Sequence, residues 1–234
     1  MSDRTRLRPS QPDSIIRDRP SIGDAAPAFD ATTTKGLIHF PQDYLGRWVI
    51  LFSHAADFTP VCTSELLSFS RLTKECRRLN TAIIGLSVDS LSSHVAWLYA
   101  IREQIRMRGL KNATLDFPLI ADLSRTIAQR YGMIHRSSHP TQTVRAVFFI
   151  DPDGIIRTIL YYPPTVGRNF DEIMRILISL QTADAFHVLT PADWNPGEPV
   201  VVSDTAGSHL DDSLSDQAIF DCLCPSRKRN PHRE

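Results

Sequence analysis

Long apolar runs are absent from this chain. Nowhere do about eighteen apolar residues follow one another, so no segment reads as a membrane-spanning helix. A surplus of either charge is also absent: Lys plus Arg number 26 and Asp plus Glu number 26, for a formal net charge of +0. That removes the bulk electrostatic case for binding nucleic acid or an anionic membrane. Cysteine is scarce. Four in 234 residues are too few for a disulfide scaffold, so each must be read individually. The N-terminus lacks the apolar core of a secretory signal, and no internal repeat is visible. The remaining composition, 42% apolar and 22% charged, is that of an ordinary folded protein. A soluble, cytoplasmic, globular chain is the expectation.

Residues 1–21 are rich in Arg, Pro and Ser without apolar periodicity, and read as a flexible arm. Their arginines resemble a transit peptide, but Asp3, Asp13 and Asp18 count against one. A folded domain is expected over 22–183, followed by a Pro-rich, irregular arm over 184–234. Within the domain, Trp48–Phe52 and Ala82–Val88 are short apolar runs of strand formers. Between them, 61–80 places Leu66, Phe69, Leu72, Cys76 and Leu79 on one helical face. A helix over 93–104, a strand over 117–120 and a short helix over 124–131 follow. Ala146–Ile150 and Ile155–Tyr162 flank Asp151-Pro152-Asp153-Gly154, which predicts an antiparallel hairpin. An amphipathic helix over 170–181 closes the domain. Parallel βαβ followed by a hairpin and a covering helix gives an α/β fold, a mixed sheet with helices on both faces.

Cys62 stands where the loop after the first of these strands becomes a helix. Unpaired backbone N–H groups and the positive end of the helix dipole favour thiolate there. An ordinary thiol of pKa about 8.5 is only a few per cent ionised at pH 7; at pKa about 6 it is about nine-tenths ionised. The plain alternative is a buried structural cysteine. The polar neighbours His54, Asp57, Thr59, Thr63, Ser64 and Glu65 weigh against it.

The segment Ser53-His54-Ala55-Ala56-Asp57-Phe58-Thr59-Pro60-Val61-Cys62-Thr63-Ser64-Glu65-Leu66 resembles the active-site segment of peroxiredoxins, specifically the one-cysteine type. Further similar segments follow in order: 85–90, 117–122, 143–148, 167–172 and 190–194. The resemblance covers about residues 22–202. It implies a thioredoxin-like fold and a thiol peroxidase that needs no cofactor and no metal. Cys62 would be the nucleophile that becomes a sulfenic acid. Thr59 would hydrogen-bond the thiolate and the incoming oxygen. Arg145 would place a permanent cation with fixed donors beside the sulfur. Glu65 would orient Arg145, Arg168 would complete the charge network, and His54 would contact peroxide. The implied partners are a peroxide, a thioredoxin-like or small thiol reductant, and a second subunit in a homodimer, or a ring of dimers. Some relatives carry a lipase-like serine in a Gly-Asp-Ser-Trp segment; here Leu45-Gly46-Arg47-Trp48 has no serine.

The other cysteines divide. Cys76 lies fourteen residues beyond Cys62 on the same expected helix, roughly 21 Å away. A disulfide needs Cα atoms within about 7 Å, so that pairing is excluded. Cys222 and Cys224 lie in the tail. Some archaeal and bacterial members of the family have a C-terminal cysteine pair, spaced more widely than here, that resolves the sulfenic acid across the dimer, and this pair is a candidate for that role. A zinc site with His209 and His232, or two idle thiols, are the alternatives. Two other functions compete with this one. A disulfide oxidoreductase needs Cys-x-x-Cys, but Glu65 occupies the second cysteine position. A non-enzymatic redox sensor or holdase ring on the same fold is the other.

One position departs from the family pattern, Pro-x-x-x-Thr/Ser-x-x-Cys: the proline is Ala55. Proline fixes φ near −65°, narrows the loop's freedom and covers the sulfur. Ala55→Pro is therefore expected to raise peroxide turnover and stabilise the fold by roughly 0.4–1 kcal/mol. Turnover and thermal unfolding of the two forms, side by side, check this. A slower or less stable proline variant would mean that the loop follows a different path around alanine.

Overall fold

The computed structural model describes residues 19–103, 115–135 and 141–202. The chain forms two compact units, one up to Arg168 and one from Asn169. The expected arm over 1–21 lies almost wholly outside the described residues, as do Cys222 and Cys224.

The first unit is built on a seven-stranded sheet. Its strands are β1 (Phe29–Thr33), β2 (Gly36–Phe40), β3 (Trp48–Ser53), β4 (Thr81–Ser87), β5 (Leu119–Ala121), β6 (Arg145–Ile150) and β7 (Ile156–Tyr162). They lie in the order β2-β1-β5-β4-β3-β6-β7. β3 pairs parallel with β4 and antiparallel with β6; β4 pairs parallel with β5. Having a neighbour on each edge, β3 is buried at all its positions, which is why it reads as an unbroken apolar run. The predicted hairpin is β6–β7, with Arg145 opposite Tyr162. Its turn is held by the Asp151 carboxylate, which accepts from the N–H groups of Asp153 (3.0 Å) and Ile155 (2.9 Å).

Helices cover both faces, as the sequence led one to expect. α1 (Pro60–Arg78) lies over one: Phe69 stacks on Phe52 of β3, centroids 3.9 Å apart. α3 (Thr126–Arg130) lies over the other, where Ile127 and Ala128 join Val49, Leu51, Ile84 and Phe148 in one apolar cluster. α2 (Leu91–Glu103) runs beside α1, and its Trp97 indole donates to the Thr63 hydroxyl at 3.2 Å. Gly85 is glycine for want of room. A Cβ there would stand 2.5 Å from Leu119 Cδ2 and 2.8 Å from the Phe52 ring.

Three features depart from the sequence reading; one is a short ladder, Val188–Leu189 with Val201–Val202, in the arm expected to be irregular. The β1–β2 hairpin was missed because its buried positions alternate with exposed polar ones: Phe29, Ala31 and Thr33 are buried, while Asp30 and Thr32 are exposed. The last helix, α4 (Phe170–Phe186), runs five residues beyond 181. Ala183 and Ala185 support that extension, and His187 ends it in the left-handed conformation at φ 54°.

The second unit begins at the α4 cap. The Asn169 side chain accepts from the N–H groups of Asp171 (3.0 Å) and Glu172 (3.3 Å). Arg175 pairs with Glu172 at 2.6 Å and donates to the Trp194 carbonyl at 3.2 Å. β8 (Val188–Leu189) and β9 (Val201–Val202) form a short antiparallel ladder. Among the described residues, no helix is long and apolar enough to cross a membrane.

Candidate active site

Pro60 opens α1 at a position that needs no N–H, and the Thr59 carbonyl accepts from the Thr63 N–H (2.9 Å) and hydroxyl (2.8 Å). That start puts Cys62 in the first turn. Its side chain is fully buried. Arg145, the first residue of β6, reaches the sulfur with Nη1 at 3.3 Å. The same nitrogen donates to Glu65 Oε2 at 2.7 Å, while Nε and Nη2 hold the Pro164 carbonyl at 3.2 and 2.8 Å. Every arm of the guanidinium fork is thus anchored, and one of them faces sulfur.

Glu65 stands between two arginines. Its Oε2 also accepts from Arg168 Nη2 at 2.6 Å, and its Oε1 from the Arg168 backbone N–H (2.9 Å) and Nε (3.1 Å). Arg168 Nη1 donates to the carbonyls of Ser53 (3.0 Å) and Ala146 (3.1 Å). Its guanidinium lies over the rings of Phe52 and Phe69. Burial works against this cation's charge, and the Glu65 carboxylate supports it. Glu65, Arg145 and Arg168 are buried, at 2%, 2% and 6% exposure. Two guanidiniums against one carboxylate leave one surplus positive charge.

The remaining described sequence candidates lie in the loop before α1 and on α1 itself. The Thr59 hydroxyl donates to the Ala56 carbonyl at 3.0 Å, which leaves its oxygen lone pairs as its open function. Ala55 is buried in the loop. His54, fully buried just beyond β3, bonds Asp57 Oδ1 through Nε2 at 2.9 Å. Its carbonyl accepts from the Thr143 hydroxyl at 2.6 Å. Cys76 is buried on α1, and burial pushes its thiol up to about 12, so it is no nucleophile near neutral pH.

Sequence reading missed His94. It lies on α2, fully buried, with Nδ1 at 2.8 Å from Asp57 Oδ2 and Nε2 at 3.1 Å from the Ile120 carbonyl. Ser93 adds a hydroxyl to Asp57 Oδ2 at 2.8 Å. Burial pushes the Asp57 carboxyl up, but the hydrogen bonds from both histidines outweigh it and hold the group well below the usual carboxylate range. Burial likewise opposes the His94 charge, and Asp57 reverses that, leaving His94 raised. For His54 burial wins and the imidazole is lowered. His54, Asp57 and His94 place potential metal-ligand atoms within 4.8 Å of one another, and the Asp57 distances are those of N–H···O hydrogen bonds.

A buried cysteine at a helix start, faced by an anchored guanidinium on a mixed α/β sheet, defines a thiol-dependent redox enzyme. Comparison with known proteins makes this specific. The AhpC/TSA family matches residues 22–159, and the C-terminal domain of 1-Cys peroxiredoxin matches 179–210. A peroxiredoxin of Methanosarcina mazei is 55% identical over 78% of this chain and 84% of its own. One from Aquifex aeolicus is 50% identical over 76% and 77%. Among solved structures, a yeast mitochondrial 1-Cys peroxiredoxin superposes with TM-score 0.70 at 40% identity, covering 78% of this chain and 86% of that one. A mutant of peroxiredoxin 6 from Arenicola marina gives 0.73 at 34% identity, covering 80% and 86%. The chain belongs to the peroxiredoxins, within their one-cysteine type, and its fold is thioredoxin-like. It is a thiol-dependent peroxidase.

The charge cluster yields a direct test. Glu65→Gln would leave two buried guanidiniums without their carboxylate, and a loss of about 3–5 kcal/mol is expected. Urea unfolding of the reduced protein measures it. A loss below about 1 kcal/mol would mean that the arginines do not depend on Glu65.

Proposed function

We propose that this chain reduces hydrogen peroxide and organic hydroperoxides at Cys62. The observation that supports this reading most is the anchored Arg145 Nη1 at 3.3 Å from a buried sulfur. The Cys62 thiolate attacks one peroxide oxygen. The S–O bond forms as the O–O bond breaks, and the departing oxygen takes the electron pair and a proton to leave as water or an alcohol. The product is a sulfenic acid. Charge spreads over sulfur and both oxygens as this happens, so donors fixed in advance lower the barrier. Arg145 supplies such donors, and the Thr59 oxygen, whose proton goes to the Ala56 carbonyl, offers its lone pairs to the peroxide O–H. Glu65 and Arg168 position Arg145, and His54 contacts the peroxide.

Two reducing equivalents must then return the sulfur to thiol. In this reading they come from Cys222 or Cys224 of a partner subunit, or from an external thiol. The yeast mitochondrial relative is described as resolved through glutathione and thioredoxin systems, which supports the external route. The working assembly is a cytoplasmic homodimer, able to build a ring of dimers.

Peroxide consumption by wild type and Cys62→Ser tests the reading. Loss of turnover in the serine variant, with its fold intact, is expected; catalytic turnover by that variant would overturn the mechanism. Non-reducing electrophoresis after one equivalent of peroxide separates the resolving routes. A linked dimer that disappears in the Cys222→Ser, Cys224→Ser double variant points to the tail, and a lasting sulfenic acid in wild type points to an external thiol.

A further inference from the structure

Around the sulfur, the Arg145 guanidinium offers only donors. A hydroperoxide, however, carries an O–H of its own and needs an acceptor. The Thr59 oxygen keeps open lone pairs, and His54 has a second suitable atom. Its Nδ1 is buried, and no described protein group pairs with it. Whether that atom is a lone pair or an N–H depends on where the ring's proton sits, and the neighbouring contacts decide this. A carbonyl can only accept, so His94 Nε2 donates to Ile120. An ionised carboxylate can only accept, so His94 Nδ1 donates to Asp57. With both nitrogens donating, His94 is an imidazolium, fully buried, and Asp57 is its counter-ion. The same carboxylate takes the Ser93 hydroxyl on one oxygen and faces His54 Nε2 with the other. Nε2 must therefore carry the His54 proton, and Nδ1 is left bare.

We propose that Asp57 and His94 are positioning residues for the peroxidase reaction: together they lock His54 as its Nε2–H tautomer and so present Nδ1 as an acceptor for the peroxide O–H. This rests on the reading of His54 as a peroxide contact. The lock holds through the neutral range, because the groups that face His54 work together. Asp57 from its own loop fixes the proton. The His94 charge from α2 and burial beside the Trp97 ring disfavour a second proton, against an opposing pull from Asp57 and from Asp89 beyond β4. Asp89 is itself tied to the Asp57 backbone N–H at 3.0 Å.

Nitrogen-15 NMR of histidine-labelled full-length protein reads the tautomers directly, with His94→Gln to assign signals. The result expected between about pH 6 and 8 is His54 protonated at Nε2 alone and His94 protonated at both nitrogens. Asp57→Asn keeps the shape and removes the charge. It should slow Cys62 oxidation by hydrogen peroxide on the order of tenfold or more and introduce a new pH dependence. Alkylation of Cys62 by iodoacetamide, which brings no peroxide O–H, should stay within about twofold. A wild-type His54 with its proton on Nδ1 would overturn the proposal. So would an unchanged oxidation rate in Asp57→Asn, or a stoichiometric divalent ion in wild type that is lost in His94→Gln. The wild-type spectrum decides even if Asp57→Asn fails to fold. A wild type that never consumes peroxide would overturn the peroxidase reading instead, and the tautomers would still be read.

Discussion

Two guanidiniums and one carboxylate sit where water is excluded, and their charges do not cancel. Glu65 accepts from Arg145 and Arg168 through both oxygens, and the surplus positive charge lies against Cys62 Sγ. An unpaired buried cation is costly, so the cluster favours an anionic group in the space beside it. The arrangement also leaves Arg145 little freedom. Its other donors are taken by the Pro164 carbonyl, so the arm that faces sulfur cannot swing away.

The sheet supplies the frame for this cluster. β3 and β6 are antiparallel neighbours, which brings the end of one beside the start of the other. Ser53 ends β3, and Arg145 opens β6. The Ser53 hydroxyl donates to the Val144 carbonyl at 2.7 Å and accepts the Ala146 N–H at 3.1 Å, fixing that junction. The carbonyls of Ser53 and Ala146 then hold Arg168. α1 starts from the loop after β3, so Cys62 meets Arg145 and Glu65, one turn on, meets both arginines. The stack of Phe52 on Phe69 fixes how α1 lies on the sheet, and Arg168 rests over the same two rings. Packing and electrostatics therefore share residues here.

Much of this was legible in the chain. The apolar runs of β3 and β4, the Asp-Gly turn of β6–β7 and the helical period of α1 each carry a local signal that tertiary structure did not override. Cys62, Glu65, Arg145 and Arg168 could be named from their resemblance to a family, and the structure brings all four into contact through Glu65 and Arg145. What could not be read was held by long-range contacts. The hairpin β1–β2 has too few apolar residues in a row to stand out. His94 looks like an ordinary polar residue early in a helix; only its distance to Asp57, 37 positions earlier, gives it meaning. Arg168 could pass for a surface arginine at a helix start, and its burial follows from the carbonyls that Ser53 and Ala146 turn toward it.

The central claim is that a fixed guanidinium fork, not merely a positive charge, prepares Cys62 for peroxide. Arg145→Lys keeps the charge and removes the fork. Stopped-flow measurement of the second-order rate of Cys62 oxidation by hydrogen peroxide in this variant is the most direct test. The account predicts a fall of about 10²–10³-fold, the usual cost of losing a donor aimed at the transition state. A rate close to that of wild type would contradict it and reduce Arg145 to a structural partner of Glu65.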